Sequence, residues 1–309
     1  MVDATLVQEQ YLVAEYLRFV KITITMSQTL YIIGNGFDVA HNIKSRYADF
    51  KTFVLSNGNR QLVDLMDVFF SNNRELWGDV EKALGEYDEN RILDFCKPDD
   101  KFDMEHSLRD SAIIEDSPDS IFKPTVDEFI ETFNEWVDSI DISFATPLWN
   151  LSEQDLYFTF NYVDTLETIY HIPQSQILHI HGSRLEKDDE YVLGHNHYRN
   201  PLDAFNDDGD MIFEQNAYEK IIRWMNDHIK DTTSIIYHNQ DFFGSLSKID
   251  KIVTMGHSFY EVDWPYMEEI SNSTGLSIPW QMHYYSNDDL KRMQDFVAKV
   301  GLLNICYLR

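Results

Sequence analysis

The chain has very little cysteine, with only Cys96 and Cys306 among its 309 residues. Two thiols are too few for a disulfide framework or for a site in which four thiolates bind zinc. Their scarcity therefore excludes a small secreted protein stabilised by disulfides. We interpret both cysteines as buried thiols without a redox role.

Basic residues are also scarce. The sequence has 25 Lys and Arg against 53 Asp and Glu, which gives a formal net charge of −28. A surface of that charge repels the phosphates of nucleic acids and of anionic membranes, and no basic run provides a local exception. Nucleic acid is therefore excluded as a partner. A phosphorylated ligand would have to be held by backbone N–H groups and helix ends.

Long apolar runs are absent as well. No stretch reaches the roughly 20 apolar residues of a membrane-spanning helix. The acidic amino terminus has neither the basic start nor the small-residue cleavage site of a signal peptide. We therefore expect a cytoplasmic protein that does not contact a membrane.

What the sequence does contain is a series of short apolar segments separated by helical patterns. Strands followed by helices predict an α/β fold with a doubly wound, mainly parallel sheet, similar to the Rossmann fold. From about Tyr47 to Val137, apolar residues recur at spacings of three and four, which indicates helices. The predicted strands are residues 30–33, 155–160, 177–180, 251–255, 281–285 and 304–308.

This pattern indicates one domain over residues 26–309, with a large helical insertion at about residues 45–150. Residues 1–25 form a separate N-terminal extension in this interpretation, because the segment that starts at Met26 has the form of a natural protein start. Within the insertion, Lys97 to Pro124 lacks an apolar pattern and is predicted to be a solvated loop. Asn287 or Asp288 should cap the helix before the last strand, and Gly301 should end it.

A glycine turn follows the first predicted strand, in the segment Gly34-Asn35-Gly36, with Asp38 two residues later. Two glycines let the backbone approach a pyrophosphate and aim free N–H groups at it. The third glycine of a complete dinucleotide-binding motif is missing. Taken alone, the turn is explained equally well as a strand–helix junction without a ligand.

Polar residues follow three later strands. Asn161 is placed to bind a ribose or orient a water, or else to cap a turn. Alternation along a strand puts His179 and His181 on one face, with His181 at the strand end before Gly182. The third segment is Gly256-His257-Ser258. Because the carboxyl ends of parallel strands lie along one edge of a sheet, all four segments should converge on one ligand crevice.

The segment from Ile32 to His41 resembles the opening of the AbiH family of bacteriophage abortive-infection proteins. Further similar segments follow in the same order, although Asn42 stands where a glycine is common. These are residues 47–50, 77–84, 159–162, 181–182, 193–195 and 256–258. The resemblance implies a protein of phage defence.

The order of motifs is more distantly similar to the SIR2 superfamily, and that resemblance implies NAD as the substrate or ligand. Carried over, the turn at Gly34, Asn35 and Gly36, with Asp38 beside it, would hold the phosphates, and Gly256, His257 and Ser258 the adenosine half. Asn161 would position the ribose and a water. His181, near its unperturbed pKa of about 6.5, would act as general base. The four cysteines of sirtuin deacetylases are missing, so we expect NAD hydrolysis without a metal.

Two other functions stay open at this point. His179 with His181, and His195 with His197, form two pairs that suit a metal-dependent hydrolase, although no third ligand is evident. The chain could instead bind a nucleotide as a non-catalytic sensor and signal to a partner through its insertion. The acidic stretch from Asp99 to Asp119 is then either a solvated loop or a surface for a phage-derived trigger or another protein. A homo-oligomer is compatible with each of these functions.

Overall fold

The computed structural model describes residues 27–70, 76–96, 108–186, 191–204 and 212–309. Within them, six strands form one parallel sheet in the order β3-β2-β1-β4-β5-β6. The strands are β1 (Thr29–Ile33), β2 (Leu156–Thr159), β3 (Ile177–His179), β4 (Lys251–Met255), β5 (Trp280–His283) and β6 (Ile305–Leu308). The predicted doubly wound fold is confirmed. Strands β2 and β3 lie on one side of β1, and β4, β5 and β6 lie on the other, so the strand order changes direction between β1 and β4. Ligands of such folds bind at this position, beyond the carboxyl ends of the strands.

Helices cover both faces of the sheet because β1 and its neighbours are apolar on both sides. On one face, Leu30 and Phe158 pack with α12 (Trp264–Thr274) and α13 (Asn287–Val300). On the other, Ile33 and Tyr157 pack with Phe37 of α1 and Leu166 of α8. Those two helices are α1 (Asn35–Ala40) and α8 (Thr165–Tyr170).

The predicted helical insertion between β1 and β2 is also confirmed. Its buried aromatic residues, among them Phe50, Phe129 and Phe133, form a core of their own. The helix α9 (Ile212–Asn226), which lies far along the chain, packs into the same core. The insertion helices are α2 (Tyr47–Ser56), α3 (Arg60–Phe69), α4 (Val80–Leu84), α5 (Glu89–Cys96), α6 (Leu108–Ser117) and α7 (Lys123–Ser139).

Two short helices, α10 (Thr232–His238) and α11 (Gln240–Ser245), connect α9 to β4. At the other end of the fold, Gly301 ends α13 in the left-handed conformation, with φ 79°, as predicted. The amino end of α13 is capped by Ser286, whose hydroxyl accepts a hydrogen bond from the N–H of Asp289. The predicted caps, Asn287 and Asp288, lie one and two residues after the observed cap. Both residue types are also common in the first turn that follows a serine cap.

The loop prediction for residues 97–124 is wrong from residue 108 onward. This segment forms α6, a π-helical turn over Pro118–Phe122 and the start of α7. Of its few apolar residues, Ile114 and Phe122 are completely buried, whereas Leu108 and Ile113 are exposed. Residues 97–107 lie outside the described residues, as does the predicted extension, residues 1–25.

The two cysteines differ from each other. Cys96 is buried, as expected, whereas Cys306 is exposed. Cys306 belongs to β6, which pairs with β5 on one side only and forms an edge of the sheet. Among the helices of the described residues, none has the length and apolar character needed to cross a bilayer.

Candidate functional site

Two glycine turns meet where the sheet order reverses. The Gly34 N–H donates to the Met255 carbonyl at 3.0 Å, and the Gly36 N–H donates to the Gly256 carbonyl at 2.9 Å. A Cβ on Gly34 would lie 2.6 Å from the Cα of His257, and one on Gly256 would lie 2.2 Å from the Phe37 nitrogen. The glycines are therefore required for the turns after β1 and β4 to pack against each other.

These contacts correct one expectation about the first turn. The N–H groups of Gly34 and Gly36 are not free to bind a phosphate, because both donate to the neighbouring turn. Asn35 opens α1, and the first N–H of a helix has no acceptor within that helix. Its side chain is held by Ser45, whose carbonyl accepts the Asn35 amide at 2.9 Å. The Asn35 N–H is thus the donor that this turn presents.

A cavity of about 420 Å³ lies over the two turns. Trp77, Phe133 and Trp136 of the helical insertion form an aromatic part of its wall, and Arg46 brings a positive charge to it. Binding sites in proteins combine such apolar walls with a few convergent polar groups. Every predicted site residue lines this cavity: Gly34, Asn35, Gly36, Asp38, Asn161, His181, Gly256, His257 and Ser258.

His181 lies beside a buried group of charged side chains. Its Nε2 is 3.2 Å from the Nζ of Lys230, and Lys230 forms a 2.6 Å ion pair with Glu81. The side chain of Lys230 is completely buried. Asp263 is also near, with its Oδ1 3.8 Å from the Nε2 of His181 and 3.9 Å from the Nζ of Lys230. We call Lys230, Glu81, His181 and Asp263 the lysine cluster.

This arrangement sets the protonation of His181. An ammonium group only donates hydrogen bonds, so Nε2 of His181 accepts and its proton resides on Nδ1. Burial, together with the charge of Lys230, holds the pKa of His181 well below its usual 6.5. The expectation of an unperturbed pKa is wrong, because it took no account of a buried lysine. His181 is a neutral ring that can donate a hydrogen bond from Nδ1.

The two acids of the lysine cluster differ in charge. Burial raises the pKa of Glu81 to about 7, against the opposing effect of Lys230. Burial also disfavours the charge on Asp263, but a hydrogen bond from His257 and the charge of Lys230 outweigh it and lower its pKa to about 2. That bond joins Nε2 of His257 to Oδ2 of Asp263 at 3.1 Å. Nδ1 of His257 accepts the Phe259 N–H, so Nε2 carries the proton.

Asp38 and Asn161 also line the cavity, and their side-chain oxygens are buried. The side chains of Thr165 and Asn161 act on the Asp38 carboxylate as hydrogen-bond donors. Oδ1 of Asn161 has no hydrogen-bond partner among the described residues. Buried polar atoms in native proteins are nearly always satisfied by protein, water or a ligand. Burial raises the pKa of Asp38 to about 7, against the opposing effects of Thr165, Asn161, His179 and Arg184.

Lys230 and Glu81 were not predicted from the sequence. Glu81 does fall within residues 77–84, which matched the AbiH pattern, but nothing marked the glutamate itself. Lys230 is positioned by His195, since the two residues share a hydrogen bond of 2.8 Å from the Lys230 N–H to the His195 carbonyl. Gly194 allows this approach, because a Cβ there would lie 2.4 Å from the His228 carbonyl oxygen. Residues 193–195 therefore support the lysine cluster.

The histidine pairs do not form a common site. The strand β3 ends at His179, so the alternation from which we predicted one shared face does not extend to His181. His179 contacts the Asn161 carbonyl at 2.7 Å and Glu167 at 2.9 Å. His195 uses both ring nitrogens, toward the Met225 carbonyl and the His197 N–H. The described residues contain no group of three or more His, Cys, Asp or Glu that could hold a metal ion.

Asn42 has a structural explanation. Its φ is 62°, in the left-handed region that glycine adopts most easily and asparagine tolerates better than most residues. The turn after His41 therefore keeps the conformation that a glycine would allow. His41 itself contacts the Phe37 carbonyl at 2.8 Å and the Tyr170 hydroxyl at 2.7 Å, which anchors the end of α1.

Comparison with known proteins gives one match. A family model described as "Bacteriophage abortive infection AbiH" matches residues 30–284, which is most of the chain. The match runs from β1 to just beyond β5 and so includes both glycine turns and the lysine cluster. No curated protein and no solved structure matches the chain.

Proposed function

The chain belongs to the AbiH family of bacteriophage abortive-infection proteins, and on that premise we propose that its cavity binds NAD or a related nucleotide and hydrolyses it. The bond broken is the one between nicotinamide and ribose. One observation carries the proposal: polar side chains from four strand ends meet in one aromatic-lined cavity where the sheet order reverses. That position is where doubly wound sheets bind nucleotides.

The cavity offers separate groups for the separate parts of such a ligand. The Asn35 N–H at the start of α1 and the guanidinium of Arg46 are the donors for phosphate. The aromatic wall from the insertion is suited to stacking a flat ring. A side-chain cation therefore supplements the backbone groups that the low content of Lys and Arg led us to expect.

The reacting end of the ligand lies between Asn161 and His181 in this proposal. Asn161 positions the ribose through its unpartnered oxygen. His181 donates from Nδ1 to a ligand oxygen, because Lys230 occupies Nε2. A neutral donor of this kind can hold a ligand oxygen in place without having to lose a proton. Nicotinamide leaves as a neutral molecule with the electron pair of the broken bond. The oxygen of water forms the new bond to the ribose carbon to give ADP-ribose, and the proton that the water loses passes to solvent.

Incubation of the purified protein with NAD tests this function. We expect free nicotinamide and ADP-ribose, and we expect Asn161→Ala and His181→Ala to abolish their formation while the thermal unfolding curve stays cooperative. His238→Ala and Asn57→Ala are the matched controls, since both residues are exposed and lie outside the cavity. NAD turnover at the wild-type rate in both cavity variants contradicts the assignment.

The same variants are compared in infected cells, which tests the function even if the protein is active only in the presence of a phage-derived trigger. Cells that express the wild-type protein should lose NAD during infection, and cells with either alanine variant should not. Nucleotide binding without products, in both the purified protein and infected cells, would instead establish a sensor.

A further inference from the structure

The loop between β4 and α12 carries an exposed tyrosine that the proposed reaction does not use. The two ends of this loop, His257 and Asp263, are buried and are joined by the 3.1 Å hydrogen bond between their side chains. Tyr260 lies midway between them and lines the cavity. The residue before it, Phe259, has a φ of 56°, a backbone conformation that a bulky residue rarely adopts. Backbone of this kind is concentrated at functional sites.

Arg292 of α13 fixes the ring of Tyr260 from one side. Its guanidinium carbon lies 4.2 Å from the centroid of the ring, which is a cation–π contact. The same guanidinium donates from Nε to the Ser258 carbonyl at 2.7 Å and forms an ion pair with Asp289. Tyr260 nevertheless remains 36% exposed. Its ring is therefore held in one orientation while part of its surface stays accessible to a flat ligand group.

The strand order separates Tyr260 from the reacting end of the ligand. Asn161 follows β2, Asn35 follows β1 and Tyr260 follows β4, so the three lie in this order along the sheet. Neighbouring strands are about 4.8 Å apart, which places β2 and β4 about 10 Å from each other. A nicotinamide ring is shorter than this distance. A ligand that is held at Asn161 and reaches Tyr260 must therefore continue past the phosphate donor, the Asn35 N–H.

The aromatic wall of the insertion lies at the reacting end instead. Phe133 of this wall contacts Tyr162, with ring centroids 5.4 Å apart. Tyr162 follows Asn161 directly in the sequence, and its ring centroid is 6.3 Å from that of His181. The wall is thus close to the two residues between which the nicotinamide ribose is placed. The cavity accordingly has two aromatic surfaces, one for each base of a dinucleotide.

We propose that Tyr260 stacks the adenine of NAD and that the cavity thereby selects a dinucleotide over a mononucleotide, an inference that rests on the proposed hydrolysis of NAD. Nicotinamide and its ribose lie between Asn161 and His181, the pyrophosphate lies at the Asn35 N–H, and the adenine covers the accessible part of Tyr260. Stacking on an aromatic side chain tolerates any base, because every base has a π face. Tyr260 therefore requires a second base without determining which base it is.

Dissociation constants test this role, measured by titration calorimetry with the His181→Ala protein, which is expected to form no products. Adding Tyr260→Ala should weaken the binding of NAD and of ADP-ribose by about 5–150-fold, the equivalent of the roughly 1–3 kcal/mol that one stacked base contributes. Nicotinamide mononucleotide, which lacks the adenosine half, should bind as before. Tyr260→Phe keeps the ring and should retain most of the affinity for NAD. Tyr237→Ala is the matched control, because Tyr237 is exposed and lies outside the cavity.

An affinity for NAD that is the same with and without the Tyr260 ring overturns this role and leaves the proposed function intact. So does an equal loss of affinity for nicotinamide mononucleotide, because the ring would then contact the half that both ligands share. If neither the wild-type nor the His181→Ala protein binds NAD, the proposed function itself fails. If Tyr260→Ala does not fold, Tyr260→Leu decides the matter, because leucine occupies the position without an aromatic ring.

Discussion

Lys230 illustrates how a single buried charge determines the chemistry of its neighbours. Its ammonium group is completely buried, forms an ion pair with Glu81 and donates to His181. Removing one partner of a buried ion pair leaves the other charge without compensation, which costs about 3–5 kcal/mol. Replacement of both partners by neutral residues avoids that penalty. The stability of the fold therefore depends on the match between Lys230 and Glu81 more than on either side chain.

Lys230→Met should destabilise the protein strongly at pH 8 and less at pH 5. Without Lys230, the pKa of Glu81 rises above its present value of about 7, because the cation that opposes the effect of burial is gone. At pH 5 Glu81 then binds a proton in the folded state and is no longer a buried charge. At pH 8 it is either a buried charge without a partner or is protonated at a cost in folding free energy. Urea unfolding at both pH values measures the difference.

The double variant Lys230→Met/Glu81→Gln serves as the control for this prediction. It should recover part of the stability lost at pH 8, and its loss should vary less with pH than that of the single variant. Equal losses for Lys230→Met at pH 5 and pH 8 would contradict the account. So would a double variant whose loss equals the sum of the two single losses, because that would show no coupling between the side chains.

At the scale of single residues, the sequence predicts those that follow strands and misses those that arrive from elsewhere. Asn161 and His257 were identifiable because each occupies a strand end, and the topology brings strand ends together. Lys230 follows no strand and is brought to His181 by its pairing with His195, a contact over 35 positions that no local pattern reveals. The pKa of His181 was mispredicted for the same reason.

At the scale of elements, the junction between the turns after β1 and β4 positions the whole site. Gly256 is its tightest point, with a φ of 67° and the Phe37 nitrogen 2.2 Å from where a Cβ would lie. Any side chain there must push α1 away from β4. Because both turns line the cavity, such a shift would also move the donors of α1 relative to His257.

We expect Gly256→Ala to destabilise the fold by more than about 3 kcal/mol, since overpacking alone costs roughly 1–3 kcal/mol and the left-handed backbone adds about 1–2 kcal/mol. Gly301→Ala is the matched control. Gly301 has a similar positive φ of 79°, but nothing lies within 4 Å of its missing Cβ. Chemical denaturation of both variants gives the comparison, and equal losses would show that close packing of the two turns is unimportant.

Elements with a dense apolar pattern were predictable from the sequence, and sparse ones were not. The strands and the helix over Lys123–Ser139 follow directly from periodicity. The helix over Leu108–Ser117 buries only Ser111, Ile114 and Ser117. Two of these three residues are polar, so its buried side does not register as apolar. Its partner α9 lies about a hundred residues later, and only tertiary packing reveals the match.

At the scale of the whole molecule, the cavity is enclosed by parts of the chain with separate cores. Phe133 and Trp136 belong to the core of the helical insertion, whereas Phe160 belongs to the core on one face of the sheet. All three line the cavity. Lys230, which follows α9 of the insertion core, joins the two parts beside the cavity through its contact with His181, which follows β3. A ligand in the cavity would therefore contact both the insertion and the sheet.

Binding of NAD should consequently protect both parts from hydrogen exchange. In the His181→Ala variant, which is expected to form no products, we predict slower exchange in α2 and α7 of the insertion as well as in the turns after β1 and β4. At 100 times its dissociation constant, a ligand stabilises the native state by about 2.7 kcal/mol. The edge strand β6, which does not line the cavity, is the internal control and should exchange at the same rate. Protection confined to the sheet would mean that the aromatic wall of the insertion does not contact the nucleotide, and the cavity would then have to be reassigned to a smaller ligand.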